Sequence, residues 1–230
     1  MYTPKTLSFL RALKRNNNKD WFHSHREDYD NYIVAPNHAL IAALSKELRA
    51  VFPEVTISNR SISRINRDTR FSSNKDPYKT WVGFLFKDKS IPDDAGPALY
   101  FGYDITGFVF GCGMWEFAKG QREHFRSQIM DPARGAEFTK IMKTLKRSKI
   151  KSSEKALKKI PKEYDPTHPN AEFTMYNGLT VAREFDPIKE FYSADFPKFV
   201  MKNFKPYRAF FKWMREMAKS APKDQRRFLC

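Results

Sequence analysis

An α+β fold is expected: a single domain with a mostly antiparallel sheet of about four or more strands, packed by N-terminal and C-terminal helices. Three observations predict it. Residues 1–52 place apolar side chains at helical spacing, residues 53–117 switch to β-branched and aromatic runs around a hairpin turn, and residues 118–230 return to helical stripes. At 230 residues the chain suits one domain spanning 1–230.

The helical opening can be read residue by residue. Thr3 is placed to cap a first helix, Pro4 suits its first turn, and Leu7, Leu10 and Leu13 recur at three-residue spacing. Asn16-Asn17-Asn18 breaks the pattern. A second helix starts near Asn18 or Asp20 and carries Trp21, Phe22, Tyr29, Tyr32 and Ile33. Pro36 kinks or ends it, because proline offers no N–H and crowds the preceding turn. Leu40, Leu44, Leu48 and Val51 resume the helical spacing as far as Phe52-Pro53.

In the middle third, residues 55–57 and 61–65 have strand composition. Residues 81–86 are apolar on both alternating faces, the pattern of a central strand covered on both sides. Residues 98–105 and 108–115 flank Thr106-Gly107 as an antiparallel hairpin. Beyond it, Asp131-Pro132 reads as a cap and first-turn proline, and Phe138, Ile141, Met142 and Leu145 form one stripe. Residues 151–160 are expected as a short basic helix, and residues 161–170 as a Pro-rich connection. Phe196, Phe199, Val200 and Phe204 precede Pro206, after which Tyr207, Phe210, Phe211, Met214 and Met217 mark a last aromatic helix. Such stripes are core packing.

Two cysteines, Cys112 and Cys230, exclude a disulfide framework and a Cys-rich zinc module. The N-terminus lacks the apolar run of a secretory signal, no 18-residue apolar stretch spans a membrane, and Cys230 is misplaced for prenylation. A cytoplasmic protein without a membrane partner is expected.

The densest polar cluster is residues 64–79. Arg64, Arg67, Arg70, Lys75 and Lys79 stand there against Asp68 and Asp76, in a loop between two strand-like segments. Guanidinium forks grip phosphate or carboxylate oxygens bidentately, and ammonium groups add point charge. Ser72, Ser73 and Asn74 add neutral donors and Tyr78 a phenol. The expected partner is an anionic small molecule. The competing reading is a structural network in which Arg67, Asp68 and Arg70 stitch the loop to the sheet. Asp68, flanked by arginines, should titrate low and orient an arginine rather than abstract a proton. Arg126, on a helix after the hairpin, is a further candidate for an anion clamp, and Trp21 for stacking on a ligand ring. Asp104 and Glu116 are the best spare carboxylates.

Other signals exclude chemistry. His23 and His25 point about 200° apart on a helix and cannot chelate one metal. No H-E-x-x-H, C-x-x-C, G-x-S-x-G or G-K-[ST] pattern occurs. Gly111-Cys112-Gly113 lacks the following helix of a dinucleotide fingerprint. Cys112 has no histidine near it in sequence. No metal and no cofactor are expected, and catalytic residues cannot be assigned.

Four blocks carry a resemblance: Asn16-Asn17-Asn18-Lys19-Asp20-Trp21-Phe22 with His25 and Tyr29; Arg64-Ile65, Arg67-Asp68, Arg70 and Pro77-Tyr78-Lys79; Gly111, Gly113, Phe125-Arg126 and Ile129; and Ile160-Pro161-Lys162 with Asp165 and His168-Pro169. In this order, over nearly the whole chain, they resemble the conserved hypothetical family known as domain of unknown function 2461. The resemblance implies one domain, brings no established activity, and marks the central loop as a site. One departure is Lys162-Glu163, where the family usually has Lys-Gly, so that turn loses glycine's access to positive φ.

The chain carries 42 Lys+Arg against 26 Asp+Glu, a net +16, divided unevenly. Residues 1–115 hold 16 basic and 12 acidic side chains; residues 116–230 hold 26 and 14. Lysines over 140–159 and 219–227 suggest an alternative to the anionic small ligand, a nucleic-acid-binding module using the basic C-terminal half. An acidic protein partner is a third candidate.

Overall fold

The first helix, α1 (Pro4–Arg15), begins at the expected proline and buries Leu7, Leu10 and Leu13. This computed structural model describes residues 1–70, 72–92, 95–187 and 189–222. Two short helices, α2 (Lys19–Ser24) and α3 (Arg26–Tyr29), lead into a π-helical turn (Asp30–Val34) and then α4 (Ala35–Val51). Pro36 therefore does not end the helix; the wider turn ahead of it absorbs the break. Proline has no N–H for the Tyr32 carbonyl, and the Thr6 hydroxyl of α1 donates to that oxygen at 3.0 Å.

The sheet has five antiparallel strands: β1 (Val82–Lys87), β2 (Ala98–Tyr103), β3 (Phe108–Met114), β4 (Lys151–Ser152) and β5 (Leu179–Phe185). Their spatial order is β1-β2-β3-β5-β4. The 104–107 turn of the expected hairpin is tied by Asp104, whose Oδ1 accepts from Thr106 N–H, the Thr106 hydroxyl and Gly107 N–H. Three expectations are corrected. β1 is an edge strand, and Leu85 is exposed; its apolar outer face comes from Gly83 lying under Trp81 and Tyr100. Residues 55–57 and 61–65 form no strand, only isolated bridge positions at Val55 and Ile62, the latter paired with Phe84, and a Ser63 N–H bond to the Gly83 carbonyl. The second half is not all helix, because β4 and β5 lie there.

The basic helix expected over 151–160 is instead β4 followed by irregular chain. Lys151 pairs opposite Ala182, Ser153 N–H reaches the Thr180 carbonyl, and both Ala156 and Leu157 donate to Met175. A ten-residue helix is marginal unless tertiary contacts favour it, and here backbone partners favour extension. The helix before it, α6 (Pro132–Arg147), starts at Asp131, whose Oδ1 accepts from Ala133 and Arg134 N–H. It stops in a Schellman turn: Lys149 sits at φ 59, its N–H reaches Lys146, and Ile150 N–H reaches Leu145.

Contacts divide the chain into two units. The first comprises Met1–Phe86, Tyr100–Phe110 and Glu184–Lys205, and includes α7 (Phe196–Phe204). Its core is aromatic: Tyr2 stacks on Phe191 at 4.3 Å, and Phe101 stacks on Phe110 at 4.8 Å. Buried Asn37 accepts from both the Tyr2 and Tyr103 hydroxyls, at 2.8 and 2.9 Å, so neither phenol is left unpaired.

The second comprises Lys87–Leu99, Gly111–Arg183 and the chain from Pro206 onward, with α5 (Lys119–Met130), α6 and α8 (Arg208–Ser220). Trp213 lies against Phe125 and Phe138, while Arg134 covers its ring at 4.9 Å. Asn170, 1% exposed, donates to both the Ile129 and Gly135 carbonyls at 2.9 Å and joins α5 to α6. Gly113 sits at φ +139, where an added Cβ would run into the Leu179 carbonyl of β5, which explains a glycine in that block.

Candidate functional site

The 64–79 loop closes on itself near its base. Asn66 and Tyr78 form an antiparallel bridge, Arg67 N–H reaches the Pro77 carbonyl at 2.9 Å, and Lys79 N–H reaches Ile65 at 2.8 Å. The bridge is held from outside by the N-terminal Asn-rich turn. The Asn17 side chain donates to the Tyr78 carbonyl at 2.9 Å and accepts from Tyr78 N–H at 3.1 Å. One amide side chain thus supplies both hydrogen bonds that a neighbouring strand would give. Phe22, from α2, stacks on the Tyr78 ring at 4.1 Å. Ile65 and Tyr78 are buried, so the base is anchored and the polar residues lie around it.

Three cations gather at this base. Lys79 Nζ donates to the Arg64 carbonyl at 3.0 Å and stands 5.0 Å from the Trp81 ring centroid. Burial, then the charges of Arg64 and Arg67, lower the Lys79 pKa, so all three groups share one electrostatic environment. Arg67 makes one long bond, Nη2 to the Tyr78 carbonyl at 3.4 Å, and its buried Nε–H has no acceptor. Among the described residues none of Arg64, Arg67 and Lys79 belongs to an ion pair. Beside Arg64 opens a pocket of about 180 Å³, with Ser63, Asn59 and His38 as polar lining over Ile33, Val34 and Ile62.

The other loop candidates are placed differently. Asp68 and Arg70 pair with each other at the exposed tip, Nη2 to Oδ2 at 2.7 Å and Nε to Oδ1 at 3.0 Å. The Arg70 side chain and its N–H hold the Asp68 carboxyl below its usual range. Arg67 is outside that pair, so the network envisaged among Arg67, Asp68 and Arg70 is only a two-residue one. Lys75 donates to the Thr69 carbonyl at 2.9 Å. The Ser72 hydroxyl oxygen accepts from Asn74 N–H and the Asn74 side-chain oxygen accepts from Asp76 N–H, so these two side chains also brace the loop's turns. Tyr78 serves through its main chain and its stacked ring.

Trp21 stacks on His25 at 4.0 Å and lies 5.7 Å from Phe9, with its carbonyl bonded to the imidazole Nδ1. Arg126 belongs to the second unit, where its Nε donates to the Thr174 carbonyl at 3.0 Å and its Nη1 pairs with Glu123 at 3.3 Å. Asp104 ties the hairpin turn, and Glu116 is exposed. Cys112 is buried, and burial pushes its thiol up, away from a nucleophilic thiolate. Among the described residues no group of three His, Cys, Asp or Glu side chains is gathered to hold a metal ion. Nor is any helix there long and apolar enough to cross a membrane. Cys230 and the 223–227 cluster lie outside the described residues.

Sequence reasoning did not single out Asn17 as the clamp or Trp81 as the surface under Lys79. The Asn-rich block was visible as a helix breaker and as part of the first resemblance block, but not as a clamp, and its pairing spans 61 residues. A family model described as conserved hypothetical protein DUF2461 matches residues 5–213. No curated protein and no solved structure matches the chain.

Proposed function

The chain belongs to the DUF2461 family, and from that footing we propose that it binds a phosphorylated or carboxylate ligand through Arg64, Arg67 and Lys79. The observation that carries this reading is the convergence of three cations that form no ion pair among the described residues, one with its pKa lowered by burial and by the other two; the one carboxylate whose charge Arg64 feels, Asp68, is paired with Arg70. Two are fixed by carbonyl oxygens and one of these also by an aromatic ring, partners that position a cation without neutralising it. An oxyanion supplies the missing charge and a planar acceptor for the guanidinium forks. The adjoining pocket beside Arg64 accommodates the rest of a small ligand. The same cations suit stabilisation of negative charge developing on a phosphoryl or carboxyl group, so the reading covers an enzyme as well as a binding protein. Cys112 is a free thiol, and a reducing cytoplasm is the compartment this reading expects.

A thermal-shift screen of phosphorylated metabolites and nucleotides tests it. A ligand that raises Tm for the native protein should fail to do so for Arg64→Ala and Arg67→Ala, with the unliganded Tm of each variant unchanged. No stabilising anion, or a large loss of unliganded stability in both variants, refutes the reading.

A second reading, nucleic-acid binding, is favoured by one observation in the second unit. Lys140, Lys143, Lys146 and Arg147 are exposed on α6, Lys149 and Lys151 follow exposed, and none is ion-paired among the described residues. It requires affinity that falls steeply with salt, about 0.9 log units per log salt for each B-DNA phosphate contacted. Absence of DNA or RNA binding at low salt removes it.

A further inference from the structure

The first unit holds a second, larger hollow of opposite character. A cleft of about 440 Å³ is lined by Trp81, Tyr100, Asp104, Thr106, Glu184 and Asp186, among others. Two glycines shape its aromatic wall. A Cβ on Gly83 would lie 2.8 Å from Trp81 Cζ3 and 3.1 Å from Tyr100 Cε2, and one on Gly102 would lie 2.9 Å from Tyr100 Cζ. Only glycine at both positions lets the Tyr100 ring rest directly on the strands. Both Trp81 and Tyr100 remain part-exposed, so ring surface faces the cleft.

The charge of the lining is the informative part. In a chain with 42 Lys+Arg, the cleft is lined by three carboxylates and by no lysine, arginine or histidine. Glu184 and Asp186 are exposed and, among the described residues, unpaired with any cation. Asp104 spends its Oδ1 on the turn. Burial and then the Asp104 charge raise the Tyr100 phenol, which keeps it neutral. Lys79 already stands over Trp81, whereas among the described residues no side-chain cation is seated over Tyr100.

We propose that this cleft binds an organic cation of the alkylammonium or guanidinium class, seated against Tyr100 beside Trp81 and held by Asp104, Glu184 and Asp186. A cation over an aromatic face gains from the ring quadrupole, and the carboxylates add direct attraction. The lining is rich in acceptors and poor in free side-chain donors: the Thr106 and Tyr103 hydroxyls already donate to Asp104 and Asn37, which leaves the Tyr100 hydroxyl and the Trp81 indole. Ammonium and guanidinium groups are all donor and no acceptor and match it; a polyhydroxy ligand needs both. The volume suits a single side chain or a short polyamine. Because the cleft shares only Trp81 and Val82 with the pocket beside Arg64, and none of the three cations, this assignment stands or falls separately from that one.

Calorimetric titration of the full chain decides it, with spermidine, N-acetylarginine amide and maltotriose as probes. At least one of the two cations should saturate, weaken with added salt, and lose affinity about tenfold or more in the double variant Glu184→Gln/Asp186→Asn. Both positions are exposed, so the variant keeps its fold. Spermidine binding alone identifies a free polyamine as the source; N-acetylarginine amide alone identifies a basic side chain of a peptide. Saturation by neither cation, undiminished affinity in the double variant, or equal binding of maltotriose overturns the proposal.

Discussion

In the second unit, Arg215 reaches Asp88 and Ser90, Arg134 reaches Glu137 and Glu216, and Arg126 reaches Glu123 and the Thr174 carbonyl. In the 64–79 loop of the first unit, Arg67 and Lys79 find carbonyls and a tryptophan ring, and among the described residues neither they nor Arg64 form an ion pair, the nearby Asp68 being paired with Arg70. The residue types are the same. What differs is whether the fold supplies the counter-charge. Where it does, the arginine holds structure together; where it does not, the counter-charge is the one the proposed anion would bring.

The largest effect that would sharpen this contrast lies at Asp88. Its side chain is 1% exposed and joined to Arg215, while Ser90 donates to it through both N–H (2.7 Å) and hydroxyl (2.6 Å). Arg215→Ala strands a buried carboxylate and should cost about 3 kcal/mol in urea denaturation. A loss below 1 kcal/mol would break the contrast on its structural side. The same pair predicts a pH effect. Burial pushes the Asp88 pKa up, but the Ser90 hydrogen bonds and the Arg215 charge outweigh it, and the net shift is downward. A lowered folded pKa gives stability that is full above the unfolded carboxylate value, near 4, and is lost as pH falls through the folded value. Asp88→Asn should therefore flatten the acid limb of the stability–pH curve below about pH 4.

A smaller effect is expected at Asn17. Removing its amide leaves the Tyr78 N–H and carbonyl without those partners, and Asn17→Ala should cost about 1–3 kcal/mol while abolishing any anion-induced Tm shift. Retention of that shift would detach the clamp from the site. The smallest effect is at Arg64, where substitution by Ala should change unliganded stability by no more than about 0.5 kcal/mol. A substantial destabilisation there would place the loop cations in the same class as Arg215.

The elements legible in the sequence were those written in local chemistry. Pro4 and the Leu7–Leu10–Leu13 spacing marked α1, Asp131-Pro132 marked α6, and Thr106-Gly107 marked the hairpin. β5 was missed although Leu179 and Val181 alternate, because Arg183 interrupts their apolar face. The 151–160 stretch was read by composition as helix, and pairing with β5 overrode it. The cationic loop was legible as a cluster, yet its division was not: Arg70 pairs two residues away, whereas Arg215 finds Asp88 across 127 residues. The cleft was invisible, since Asp104, in the hairpin turn, lies far along the chain from Glu184 and Asp186, at the end of β5.

The proline in the fourth helix has a last consequence. Helices packed through leucine ridges alone tolerate slippage by a full turn, since the ridges repeat. Beside Pro36 the ladder lacks one rung, and the Tyr32 carbonyl that would have used it is met by a single hydroxyl, Thr6, fully buried on α1. A defect in one helix thereby becomes an index mark for another, and only one alignment of the two brings the hydroxyl to the carbonyl.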